Sequence, residues 1–126
     1  MTDLTVTIPA GVTVVRDDYI PANQRSTHAL VAGTYPVERH DARDRPAADG
    51  DRARWLVAVV PTTGGTHTYW SRYPRGVDTT SLGAGVVHLR VDGYAAARGF
   101  TVRTPDGYVS FPVDGLEQPD RERMNA

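Results

Sequence analysis

The stretch from Trp55 to Trp70 constrains this chain most. Trp55-Leu56-Val57-Ala58-Val59-Val60 is apolar at every position, as in a strand covered on both faces. Pro61-Thr62-Thr63-Gly64-Gly65 follows and reads as a turn. Thr66-His67-Thr68-Tyr69-Trp70 then alternates, as in a strand with one wet face. Together they predict a central β-hairpin. A two-residue Gly64-Gly65 turn would set Val60 opposite Tyr69 and Val59 opposite Trp70.

The flanking segments carry the same period of two. Leu4, Val6 and Ile8 share one face of a short strand, and Pro9-Ala10-Gly11 turns the chain into a second strand over Val12–Arg16. A hairpin between these two is the simplest pairing. A strand is favoured over Ser26–Ala32, and another over Gly33–Arg39, where Pro36 suits a sheet edge. In Val86–Asp92, Val87, Leu89 and Val91 share one face, while Val86, His88, Arg90 and Asp92 share the other. Phe100–Thr104 and Tyr108–Val113 form a last hairpin about Pro105-Asp106-Gly107. A bulged turn pairs Thr104 with Tyr108; a tight Asp106-Gly107 turn pairs Val102 with Phe111. The bulged form is preferred, because the tight one puts Pro105 where a backbone donor is wanted.

Only Gly93–Gly99 has helical propensity, and it is too short to stand alone. Roughly seven or eight short strands, with Gly or Pro about every ten residues, predict an all-β fold. A small antiparallel barrel of the SH3-like kind is preferred over a sandwich, with at most one short helical turn. At 126 residues the chain is read as one domain over 1–115, with a polar tail over 116–126. Residues 40–54 interleave acids and arginines with little to bury, and are expected to form a charged surface loop.

Composition excludes some chemistry. There is no cysteine, so disulfides and Cys-based zinc sites are out. The formal charge of −1 gives no global field that demands nucleic acid or a membrane. All 14 basic residues are Arg, which reads as codon usage before it reads as chemistry. The N-terminal residues show no basic and apolar signal pattern, and no apolar run approaches a membrane span, so a cytoplasmic protein is expected.

No catalytic motif stands out, and the chain is read as non-enzymatic. His28, His40, His67 and His88 form no H-x-H or H-E-x-x-H pattern. The one metal site that can be built joins His67, His88 and Asp92 across two strands. It is set aside in favour of ordinary strand histidines, so no metal or cofactor is expected. Asp17-Asp18 reads as strand termination.

The segment Tyr69-Trp70-Ser71-Arg72-Tyr73-Pro74-Arg75 concentrates rings and guanidinium groups. Trp, Tyr and Arg dominate interface hot spots, so Tyr69, Trp70, Arg72, Tyr73 and Arg75 are the expected binding residues of an adaptor or inhibitor that contacts another protein. The alternative is a nucleic-acid-binding barrel using the same loop. Between Arg52 and Arg103 seven Arg face only Asp78 and Asp92, and rings beside guanidinium groups suit single strands. Size and lack of motifs also fit a phage or mobile-element accessory protein. The sequence leaves the oligomeric state open.

Overall fold

The computed structural model describes residues 3–16, 25–43, 45–47, 53–71, 76–92 and 98–116; for 69–71 and 76–78 it describes the backbone alone. The expected helical turn at Gly93–Gly99 and the polar tail lie largely outside these residues. Among the described residues the chain is nearly all β, with no helix.

Among the described residues eleven strands run in chain order: β1 Thr5–Ile8, β2 Thr13–Arg16, β3 Arg25–Leu30, β4 Gly33–Pro36, β5 Glu38–His40, β6 Trp55–Ser71, β7 Gly76–Leu82, β8 Gly85–Asp92, β9 Phe100–Thr104, β10 Gly107–Phe111 and β11 Val113–Asp114. They form three ladders: β11-β1-β4, β10-β9, and a large one in which β6 pairs with β3, β5, β7 and β8 while β2 pairs with β3. All the described pairings are antiparallel.

The central hairpin is not where the sequence predicts it. β6 is one strand of 17 residues that runs straight through Pro61–Gly65. Its partner is the β7–β8 arm, in one register from Ser71↔Gly76 to Trp55↔Asp92. Val59 therefore lies opposite His88 and Val60 opposite Val87, not opposite the aromatic pair. The glycines serve close approach and a bend, not a reversal. Against β3, Ala29 pairs with Gly64 and Leu30 with Thr62, so Thr63 is an extra residue in β6. This β-bulge bends the strand and exchanges its faces. Before it, Leu56, Ala58 and Val60 point into the core; beyond it, β6 lies beside β3, whose core side carries buried Ser26 and Leu30. A Cβ on Gly65 would stand 1.8 Å from the Thr27 carbonyl oxygen, so only glycine fits there.

Two other pairings also differ. β1 and β2 do not form a hairpin. β1 lies between β4 and β11, whereas β2 pairs with β3. Gly11, at φ +85°, turns the chain from one ladder to the other across the core, and Val12 O accepts from Leu30 N at 2.9 Å. The final hairpin adopts neither expected register. Thr104 pairs with Gly107, leaving Pro105-Asp106 as a two-residue turn. Proline at the second turn position and glycine at the fourth match type I preferences. The gain is in packing: Phe100 meets Phe111 and Val102 meets Val109. The β4 edge agrees with the sequence, since Pro36 lies on a strand that pairs only with β1 among the described residues.

One core joins the three ladders. It contains Val6 and Ile8 from the first, Leu56, Val60 and Leu89 from the large one, and Phe100, Val102 and Phe111 from β9–β10. Among the described residues the ladders wrap this core without closing into a barrel. β9–β10 approaches β2, β8 and β1, yet pairs only with itself among the described strands. Side chains, not a continuous hydrogen-bond ladder, attach it.

Candidate interaction surface

The first half of β6, apolar throughout in the sequence, has an outer face that is not fully covered. Trp55, Val57, Val59 and Pro61 form its row. Across the strand pair stand Asp92, Arg90, His88 and Val86. Val59 is 45% exposed and Val86 56% exposed, so this face is open at that end, whereas Val57 is only 9% exposed. β5 flanks its other side, with His40 opposite Trp55 and Glu38 opposite Val57.

Trp55 is the fixed point of the face. The Arg90 guanidinium lies 4.0 Å from its ring centroid and that of Arg54 5.4 Å. Both distances are within cation–π range. Arg54 also reaches the Asp92 carboxylate at 3.7 Å, and His40 Nε2 lies 3.0 Å from Glu38 Oε2. The half-buried indole thus has two guanidinium groups over its ring, apolar neighbours and a mixed-charge border.

The described part of the charged 40–54 loop is organised by one carboxylate. Asp41 Oδ1 accepts from the backbone N–H groups of Arg43 at 2.8 Å and Arg45 at 3.1 Å, and Asp41 N donates to Arg45 O. This is an Asx-type local turn. Ala47 N donates to Arg39 O and Arg54 N to His40 O, which anchor the loop to β5. The Arg45 N–H, opposed by desolvation and aided by the Arg43 N–H and both guanidinium charges, holds the Asp41 carboxyl below its ordinary value. A depressed pKa means that the turn is favoured above the unfolded-state pKa and loses that support as pH falls through the folded one. We therefore expect the Asp41 carboxyl to titrate below the usual carboxylate range by NMR. The amide shifts of Arg43 and Arg45 should follow the same midpoint. Independent midpoints would show that the turn does not depend on this carboxylate.

The binding residues expected from sequence fall elsewhere. Tyr69 and Trp70 lie on β6, opposite Asp78 and Val77, with backbone alone described. Arg72, Tyr73 and Arg75 lie outside the described residues, in the connection from Ser71 to Gly76. The His67, His88 and Asp92 set does not assemble. His88 sits opposite Val59 on the open face, while His67 lies beyond the bulge opposite Ser26. Among the described residues no group of three or more His, Cys, Asp or Glu could hold a metal ion. Ser26 Oγ lies 2.9 Å from His28 Nε2, the spacing of a nucleophile and its base. Ser26 is only 1% exposed, however, so that pair satisfies a buried hydroxyl and offers nothing to a substrate.

Among the described residues no helix is long and apolar enough to cross a membrane. No known protein family, curated protein or solved structure matches this chain.

Proposed function

We propose that this chain is a small non-enzymatic interaction protein, an adaptor- or inhibitor-like module that binds another protein. In this reading the three ladders around one core act as an SH3-like scaffold, and the protein works in the cytoplasm. The observation that carries the proposal is Trp55, with two guanidinium groups over its ring, on a sheet face beside exposed Val59 and Val86. A rigid indole with apolar neighbours and an Arg border has the composition of an interface hot spot. Its geometry is set before binding, so little side-chain entropy is lost when a partner covers it. Tyr69, Trp70, Arg72, Tyr73 and Arg75, at the far end of the β6–β7 arm, are proposed as a second contact.

The test is affinity capture from the native host with the wild-type chain, followed by titration of the purified partner. Trp55→Ala should weaken that partner at least about 30-fold, the effect of a hot-spot residue near 2 kcal/mol. Its circular dichroism should stay that of the wild type, since the side chain lies outside the core. A folded Trp55→Ala variant that keeps wild-type affinity would remove this face from the proposal.

A further inference from the structure

The outer face of the large ladder continues past the bulge with different chemistry. Here Thr27 and Thr66 stand opposite each other, as do Thr68 and Thr79. Their hydroxyl oxygens are 2.8 and 3.4 Å apart. The face is polar and hydroxyl-lined, and Arg25, the partner of Thr68, borders it.

At its β2 side this face meets the β9–β10 hairpin. Arg103 and Tyr108 are directly opposite each other there, on the outward side that also carries the Thr101–Ser110 hydroxyl pair at 2.7 Å. Between the two surfaces lies a cleft of about 460 Å³. Val15 and Arg25 form one wall; Arg103, Thr104, Gly107 and Tyr108 contribute to the other. Among the described residues no acidic side chain lines it. The Tyr108 side of the cleft is open, the residue being 77% exposed. Such a volume falls within the range of small-ligand sites.

Two guanidinium groups and a solvent-facing aromatic ring in one cleft suit a group that is anionic at one end and flat at the other. We propose that this cleft binds a short unit of a single-stranded nucleic acid: two successive phosphates, one at Arg25 and one at Arg103, a base stacked on Tyr108, and the adjoining strand laid over the threonine rows. Guanidinium groups take phosphate oxygens in bidentate fashion. Rings stack on bases of any sequence, and hydroxyls contact phosphate and sugar without reading sequence. A duplex hides its bases from Tyr108, so the single strand is the matched form. The site shares no residue with the Trp55 face and does not rest on the protein-binding reading.

The probe is a fluorescein-labelled dT10 oligonucleotide, followed by anisotropy with the full chain. Two phosphates neutralised on a single strand give a log–log salt slope near −1.4, a loss of about sevenfold from 50 to 200 mM salt. Tyr108→Ala should weaken binding at least about fivefold, while Tyr108→Phe, which keeps the ring, should retain it. Arg103→Gln should lower the slope by about 0.7. Both positions are exposed, and an unchanged melting curve shows that the variants fold. Three results would each overturn the proposal: no binding at 50 mM salt, wild-type affinity in Tyr108→Ala, or tighter binding of a phosphoserine decapeptide than of dT10. Loss of the Trp55 partner in Trp55→Ala leaves this experiment unaffected, so the two readings fail separately.

Discussion

Gly65→Ala should destabilise this protein by about 3 kcal/mol, at the top of the range for overpacking a well-packed site. The new methyl carbon would sit 1.8 Å from the Thr27 carbonyl oxygen and 2.9 Å from its carbonyl carbon. Both are backbone atoms of β3, so no side chain can rotate away. Relief requires β3 to move from β6, at the cost of the pairings Thr27↔Thr66 and His28↔Gly65. A loss of that size is a large fraction of a small domain's stability. Gly83→Ala is the control. It lies in the link between β7 and β8, where its Cβ would meet nothing within 4 Å. There, removing glycine's freedom in the unfolded chain leaves stability unchanged or raises it by up to about 1 kcal/mol. Urea denaturation of both variants checks the pair. Equal midpoints would mean that Gly65 is not the contact point between β3 and β6.

That glycine also explains what the sequence concealed. Pro61-Thr62-Thr63-Gly64-Gly65 carries the residues of a turn, and local chemistry alone favours a reversal there. Glycine is equally required where another backbone comes close, and nothing local separates the two uses. The separation is tertiary: β3 lies against Gly65 and the β7–β8 arm continues past both glycines. Where period-two alternation was clean, the reading held. Val87, Leu89 and Val91 are buried as their spacing predicts, and so are Leu4, Val6 and Ile8. The open Trp55 face was present in the sequence as the polar side of β8. Val86, His88, Arg90 and Asp92 share one face by their spacing, and a strand paired with β8 must share it. An unbroken apolar run such as Trp55–Val60 reads as covered on both sides, which masks that consequence. The small apolar set Leu56, Ala58 and Val60 fills the core, while the alternate set Trp55, Val57 and Val59 faces outward. Arg103 and Tyr108 were legible only as members of a hairpin. Their placement against Arg25 depends on how separate ladders pack, which no local pattern encodes.

Phe100→Ala should cost about 3–5 kcal/mol, the usual range for deleting a buried aromatic side chain. Phe100 is 1% exposed and is the largest of the fully buried side chains. Its position makes the loss more than local. Among the described strands β9–β10 pairs only with itself, and an isolated two-stranded hairpin is marginal in water. Phe100, Val102 and Phe111 are its buried attachments to the common core. Removing the largest of them loosens the hairpin before it loosens β6 and β8, which keep their own ladder. Amide exchange in β9 and β10 should therefore accelerate more than exchange in β6, and Phe100→Leu should recover part of the loss. The same displacement separates Arg103 and Tyr108 from Arg25, since among the described strands no ladder joins the two walls of the cleft. Any binding of dT10 at this cleft should fall with the protection of the hairpin amides, even though Phe100 lies on the opposite side of β9 from the ligand. Uniform acceleration of exchange across all strands would instead show that the hairpin and the large ladder unfold as one cooperative unit.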